Sequence, residues 1–483
     1  MKTVFEKSVE GKRGMELPKA ASDEITQVES VVPKQFLREK AAELPQLGEI
    51  EVVRHYTGLS RRNYGVDNGF YPLGSCTMKY NPKVNEEMAK LAGFANLHPL
   101  QPESTCQGAL KLMFELEQML CEICGFERFS LQPPAGACGE FTGIRIIRAY
   151  HESRGEGTRR RKILIPDSSH GTNPASVTQC GFIAEEIKSN ADGRIDLALL
   201  KEKMSEEVAG IMITNPNTLG LFEKDIVKVC EIVHEKGGLV YMDGANMNAL
   251  LGICRPGELG FDVMHLNLHK SFSTPHGGGG PGCGPVGVKK HLVEFLPTPM
   301  VEEKNGVYHL NHGLPKSIGK VKSFYGNFGM MVRAYTYIRA LGAGGMRRAG
   351  EMAVLNANYL KEKLKGEYNL PHDKVCMHEF VLNDEGFPNG VTTNEIAKRL
   401  LDLGYHAPTI YFPLIVHGAI MIEPTETESR ETLDEFVEAM LQIKREAQEK
   451  PDFVKASPHT LPVKKLDAVK AAREPVLRWK KQD

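Results

Sequence analysis

Four short apolar runs, KILIP (162–166), GIMIT (210–214), GLVYMD (238–243) and DVMHLNL (262–268), recur along the middle of the chain. The second and third flank KDIVKVCEIVHEKGG, an amphipathic stretch that stops at a glycine pair. Runs this short and this rich in Ile, Leu, Val and Met read as strands buried on both faces. Strand, helix, strand at such spacing predicts right-handed crossovers and a largely parallel α/β sheet. With 483 residues, the chain has length for a second, smaller domain with its own core.

In open parallel sheets, ligands collect outside the carboxyl ends of the strands. Read in order, those ends carry DSSHGTNPAS, NPNTLG, DGANMN and HKSFSTPHGGGG, so Asp, His, Asn, Thr and Lys converge on one edge. A lysine at a strand end is ordinarily a solvated one. Lys270 instead follows an apolar run and precedes glycines that let backbone approach closely. A shielded lysine has its amine available for a Schiff base. Pyridoxal phosphate asks for such a lysine, an acid beside its ring nitrogen and an anion cradle. Asp243, ending GLVYMD, is the candidate acid, although DGAN is also turn chemistry. His170 in SSHGTNPAS is placed to lie on a cofactor ring or to move protons there, while a lone histidine also serves structural roles. For the cradle, the small residues Ala135, Gly136, Ala137 and Cys138 precede an amphipathic helix, and free N–H groups at a helix start bind phosphate. A tight loop without a ligand fits that stretch equally well, and GGGGPGCGP (277–285) is a second cradle candidate.

Residues 1–80 read as an N-terminal arm. It contains a short helical piece, QFLREKAAEL, and then RHYTGLSRRNYGVDNGFYPLGSCTMKYNP, which is aperiodic yet too rich in aromatic and small residues for plain disorder. Residues 81–330 form the large domain. The stretch 331–450 opens with a long helix and continues through VCMHEFVLN, TNEIAKRLLDLG, GAIMIEP and RETLDEFVEAMLQIKREAQ, an order that suits a small α+β domain with an antiparallel sheet. The charged tail, 451–483, is expected on the surface. A formal charge of -1 argues against a nucleic-acid partner or a polybasic membrane patch. No apolar run is long enough to span a bilayer. Ten scattered cysteines behind an N-terminus without a signal-like core predict a reduced, cytoplasmic protein. Cys121 and Cys124 form a CxxC inside QGALKLMFELEQMLCEICGF, whose apolar spacing is helical. With no second pair and no histidines to complete a metal site, they read as part of a buried helix face, and no metal is expected.

The motifs YPLGSCTMKYNP, HPLQP, AGACGEFTG, SSHGTNPAS, TNPNTLGLFE, MDGANMNA, HLNLHKSFSTPHGGGGPG and IEPTETES run from Tyr71 to Ser429. In this order they resemble the pyridoxal-phosphate-dependent P-protein of the glycine cleavage system, nearest to subunit 2 of its two-subunit form. The resemblance implies the type I, aspartate-aminotransferase-like fold: a large domain around a mainly parallel seven-stranded sheet, then a small C-terminal domain. It implies a cofactor held covalently by Lys270, Asp243 at the pyridine nitrogen, and Ala245 and His170 on the two faces of the ring. His269 and Ala135 to Cys138 would contact the phosphate, and Asn215 and Thr172 the ring oxygen or the substrate. The implied activity is decarboxylation of glycine, with carbon dioxide released and the aminomethyl group passed to the lipoyl arm of H-protein. The implied partner is glycine dehydrogenase subunit 1, in a heterotetramer of two subunits of each type, with the arm segment RRNYGVDNGFYPLGSCTMKYNP covering the entrance or bridging the interface. The strand-end motifs lack the arginine by which aminotransferases hold a carboxylate, as suits a carboxylate that must leave; Arg61, Arg62 and Arg333 remain available from elsewhere. Two other readings stay open: another type I amino-acid decarboxylase or transaminase, and a non-catalytic interaction subunit with a fossil site.

Overall fold

The computed structural model describes residues 2–15, 28–40, 42–277 and 282–480. Residues 278–281 of the second cradle candidate lie outside that set. The chain divides into two units, Met1–Asn68 with Leu466–Asp483, and Gly69–Lys465.

In the first unit the expected helix QFLREKAAEL does not form. Only Lys34–Phe36 make one 3-10 turn, with no buried side chain. A single turn with no apolar face to bury cannot offset the cost of helix nucleation. Among the described residues the longest helix of this unit is instead Glu49–Ser60, so RHYTGLS, read above as aperiodic, is helical. Glu49 and Glu51 lie in its first turn, where acidic side chains complement the exposed N–H groups, and Glu51 accepts the Gly48 N–H at 2.9 Å. Elsewhere in the unit Phe5 stacks on Trp479 with centroids 4.8 Å apart.

The second unit is built on a seven-stranded sheet. Its strands are β1 (Arg128–Ser130), β2 (Lys162–Pro166), β3 (Ile183–Ile187), β4 (Val208–Thr214), β5 (Leu239–Gly244), β6 (Val263–Leu266) and β7 (Val286–Val288), in the order β1-β7-β6-β5-β4-β2-β3. The four apolar runs are β2, β4, β5 and β6, mutually parallel as expected, and β7 runs antiparallel to both of its neighbours. The strands that periodicity did not reveal have reasons to be quiet. β1 and β7 are three residues each, and β3, reading IAEEI, is an edge strand with partly exposed carboxylates. Parallel register sets Thr214 beside Asp243 and Asp243 beside His265, so three adjacent strands end at one level. That level is the floor of the site. CxxC lies in the helix Gln107–Cys124, with Cys124 buried and both thiols free; burial pushes the Cys121 thiol up to about 12.

A hairpin, β8 (Met300–Lys304) and β9 (Val307–Asn311), precedes the long helix Phe328–Leu364, which is broken at Gly342. Three strands follow, β10 (Phe380–Asn383), β11 (Thr409–Ile410) and β12 (Ala419–Ile422), antiparallel in the order β10-β12-β11. The helix Arg430–Glu449 covers them. It starts at Ser429, whose hydroxyl accepts the Thr432 N–H, and it buries Leu433, Phe436, Val437, Met440, Ile443 and Ala447 along one face. Each large apolar side chain there contributes about 1.5–3 kcal/mol. The tail after Lys450 is not wholly superficial, because Val454 and Ser457 are buried. Among the described residues, no helix is long and apolar enough to cross a membrane.

Candidate active site

The strand ends open into a cavity of about 220 Å³. Lys270, Asp243, Ala245, His170, Thr172, His269, Gly136 and Ala137 all line it. Ala135, Cys138 and Asn215 do not. Ala135 is the residue before the helix Gly136–Ser153, and the Cys138 side chain is exposed. Asn215 follows β4, but its side-chain Oδ1 accepts the Glu223 N–H at 3.0 Å, and Glu223 is not in the cavity lining.

Asp243 is fully enclosed. One carboxylate oxygen accepts from Asn173 Nδ2 at 3.0 Å, the other from the Ala245 N–H at 3.0 Å, and His265 Nε2 stands 3.5 Å away. Burial alone would raise this carboxyl. The charge interaction with His265, the two hydrogen bonds and Lys270 outweigh it and hold Asp243 below the usual carboxylate range. Asp243 is therefore a buried anion at the floor of the cavity.

His170 sits in the turn before the helix Thr172–Gln179, with Nδ1 2.9 Å from Thr172 Oγ1. Thr172 in turn donates to Glu140 at 2.7 Å, which fixes both side chains. Burial pushes the His170 imidazole down, and it pushes His269 down to about 3, so both rings are neutral near pH 7. Lys270 donates to the Ser75 carbonyl at 2.6 Å. At the opposite wall, a Cβ on Gly136 would come within 2.5 Å of Asn267 Oδ1, so only backbone fits there. Among the described residues the Asn267 side-chain oxygen is buried without a hydrogen-bond partner. The first N–H groups of the helix behind Gly136 likewise have no intrahelical acceptors.

A second set of residues reaches this cavity from outside the parallel sheet. Ser75, His378 and Glu379 line it, and Glu423 stands behind Glu379. Ser75 and Thr77 take left-handed φ values of 64° and 50°, a conformation that costs about 1–3 kcal/mol at each non-glycine residue. Their N–H groups donate to the two acids, Ser75 to Glu379 at 2.7 Å and Thr77 to Glu423 at 3.0 Å, which offsets that strain. Lys79 anchors the same segment: it is buried, and its ammonium donates to Glu426 at 2.7 Å and to the Ser271 carbonyl at 2.8 Å. The segment YPLGSCTMKYNP is thus structural and lines the site. Strand-end reasoning on the parallel runs does not reach these acids, which flank the antiparallel strands β10 and β12. HEFVLN and IEPTE carry the same signal, an acid abutting a short apolar strand. Among the described residues no arginine lines the cavity, and Arg333 is committed to Glu86 through two hydrogen bonds of 2.7 and 2.8 Å.

Comparison with known proteins gives a consistent picture. Residues 16–307 match the family model "Glycine cleavage system P-protein", and residues 349–461 match "Glycine dehydrogenase, C-terminal domain". The chain is 62% identical over 479 residues to a probable glycine dehydrogenase (decarboxylating) subunit 2 of Caldanaerobacter subterraneus subsp. tengcongensis, covering 99% of this chain and 98% of that one. It is 58% identical over 484 residues to a protein of the same name from Alkaliphilus oremlandii, covering 100% and 99%. Among solved structures, a glycine decarboxylase (P-protein) of the glycine cleavage system in inhibitor-bound form superposes with a TM-score of 0.73 at 23% identity, covering 88% of this chain and 95% of the other. A Lactobacillus brevis glutamate decarboxylase superposes at 0.67 and 12% identity, covering 88% and 97%. These two establish the shared fold, the type I architecture expected from the motifs.

Proposed function

We propose that this chain, which belongs to the glycine cleavage system P-protein family, decarboxylates glycine with pyridoxal phosphate held at Lys270 and passes the aminomethyl group to the lipoyl disulfide of H-protein. The observation that carries the cofactor is the buried Asp243 carboxylate in one cavity with Lys270. Bound there, pyridoxal phosphate supplies an electron sink, and a carboxylate beside its ring nitrogen is what keeps that sink effective. The donor set fits the group. Asp243 is held anionic for a ring N–H, and the backbone-lined corner at Gly136 and Ala137 with the first N–H groups of its helix suits a phosphate. His269 adds a neutral imidazole near that corner, and His170 and Ala245 are available for the ring faces. Thr172 is assigned to orient His170 and to meet the ring oxygen or the substrate. Ala135 and Cys138 contribute backbone at the helix start at most, and Asn215 shapes the loop after β4.

Lys270 binds the cofactor aldehyde and otherwise keeps its amine on the Ser75 carbonyl. Among the described residues no arginine stands on the cavity wall to grip the carboxylate that has to leave. The partner we assign is subunit 1 of the same enzyme, in a heterotetramer of two subunits of each type, since the relatives are named subunit 2. We assign residues 81–330 to cofactor binding, 331–450 to the small domain, 1–80 to the arm and 451–483 to the tail, and we place the protein in the cytoplasm. The test is borohydride reduction of the cofactor-loaded chain followed by peptide mapping, together with Lys270→Ala. The label is expected on Lys270, and the substitution should abolish glycine-dependent release of carbon dioxide in the presence of subunit 1 and lipoylated H-protein. A label on another lysine, or persistent turnover, would reject the assignment.

A further inference from the structure

Antiparallel register places Phe380 opposite Ile422, so the residues one step outward, Glu379 and Glu423, face each other at the end of the β10–β12 ladder. Like charges directly opposite on a sheet are unfavourable, and here both side chains are almost fully buried. A carboxylate oxygen of each and a ring nitrogen of His378 lie within 4.8 Å of one another. Glu379 is held toward the cavity by its own backbone. Gly220, at φ +75°, lies so close that a Cβ there would meet the Glu379 carbonyl at 1.9 Å. Glu423 is fixed by Thr77 Oγ1 at 2.7 Å and Asn246 Nδ2 at 2.9 Å. Ser75 joins this pair to the lysine, since its N–H is on Glu379 and its carbonyl is on Lys270.

Resting on the glycine reading above, we propose that Glu379 is a proton-transfer residue of this site and Glu423 its partner, the pair resting with one proton between its two carboxyls, taking up a second that the glycine ammonium gives up and returning it to the lipoyl thiolate. The chemistry requires such a store. Glycine arrives as an ammonium and must lose one proton before its nitrogen can act as a nucleophile. Later the aminomethyl carbon forms a C–S bond with one lipoyl sulfur, using the electron pair freed when the C–CO2 bond breaks. The S–S bond breaks, and the other sulfur leaves as a thiolate that takes up one proton. One proton is released and one is consumed, at different moments. Two facing carboxyls that cannot both ionise are suited to carry it between them.

The surroundings agree. Burial, then the charge of Glu423, push the Glu379 carboxyl well above the ordinary range, against the Ser75 N–H and Lys270. Burial raises Glu423 as well, against the hydrogen bonds from Asn246 and Thr77 and the Lys270 charge. The other titratable groups facing the pair add no cation besides Lys270. His378 stands 3.6 Å from Glu379, but burial brings it down to about 3, so it is neutral and forms no ion pair. Burial likewise brings His276 down to about 4 and raises the Cys76 thiol. With His170 and His269 also neutral, Glu379 is a proton source at this wall.

The test uses the full-length chain, loaded with pyridoxal phosphate, with subunit 1 and lipoylated H-protein for turnover. Infrared spectra at neutral pH should show the C=O band of a protonated carboxylic acid that shifts in heavy water, is lost in Glu379→Gln and is displaced in Glu423→Gln. In Glu379→Gln, KM for glycine should stay within about twofold while kcat for aminomethyl transfer falls by about 10²-fold or more, and Glu379→Asp should recover part of the rate. A wild-type chain without the band, a band indifferent to both substitutions, or an unchanged kcat in Glu379→Gln would overturn the proposal. Failure of the glycine reading looks different: the cofactor absorbance of the wild type would not respond to glycine, while the infrared band, which needs no substrate, would still be present.

Discussion

Asp243 and Glu379 are both almost fully buried, both line one cavity and both feel Lys270, yet the protein drives them in opposite directions. Asp243 lies near the end of β5 with two donors, Asn173 and the Ala245 N–H, and with His265 Nε2 3.5 Å away. Glu379 precedes β10 with one N–H donor and another carboxyl across from it. Desolvation acts alike on both, so the neighbours decide the charge. One wall of the cavity keeps an anion where the proposed cofactor would set its ring nitrogen, and the other keeps a carboxylic acid where we propose that protons are exchanged.

The sharpest way to break this contrast is to neutralise the anionic side. Asp243→Asn should leave the fold intact and lower kcat for carbon dioxide release by about 10²–10³-fold, the range for losing one preorganised electrostatic group. Steady-state assays would show it, and a near-normal rate would remove Asp243 from the chemistry. A smaller effect separates the two walls by pH. Asp243, depressed in the folded chain, contributes stability that is present above its unfolded value of about 3.9 and lost as pH falls through the folded value. The glutamate pair has the reverse sign. Its raised carboxyls hold protons that the unfolded chain releases above about 4.3, so their contribution declines as pH rises from there through the folded values. Glu423→Gln should flatten that decline by up to about 1.4 kcal/mol per pH unit, as read from urea unfolding of the cofactor-free chain. An identical slope in the variant would mean the pair ionises normally. The smallest change acts on the cradle alone. Gly136→Ala should weaken cofactor binding about tenfold, because the added methyl crowds Asn267 and costs about 1–3 kcal/mol. Absorbance titration would measure it, and the pH slope set by the glutamates should not move.

Much of the anionic wall could be read from the chain. β2, β4, β5 and β6 announce themselves as apolar runs, and each is followed directly by its polar strand-end cluster. His170, Asp243 and Lys270 therefore share an edge once the sheet is known to be parallel. The acidic wall could not be assembled the same way. Glu379 and Glu423 are far apart in sequence, each flanking a strand of four residues, and their meeting depends on an antiparallel register and on a turn at Ser75–Thr77 held in left-handed φ. The arm contained a similar ambiguity. QFLREKAAEL has helical composition but buries nothing, whereas the YPLGSCTMKYNP stretch lacks periodicity yet carries the buried Lys79.

By itself, the sequence determined the parallel α/β sheet, the lysine and aspartate at its strand ends, and the family, because apolar periodicity and motif order are local properties that survive any rearrangement of the rest. The tertiary structure decided which buried acid is charged and which holds a proton. Charge state in a dry pocket depends on the count of donors and cations within a few ångströms, and that count is fixed only when distant segments have packed together.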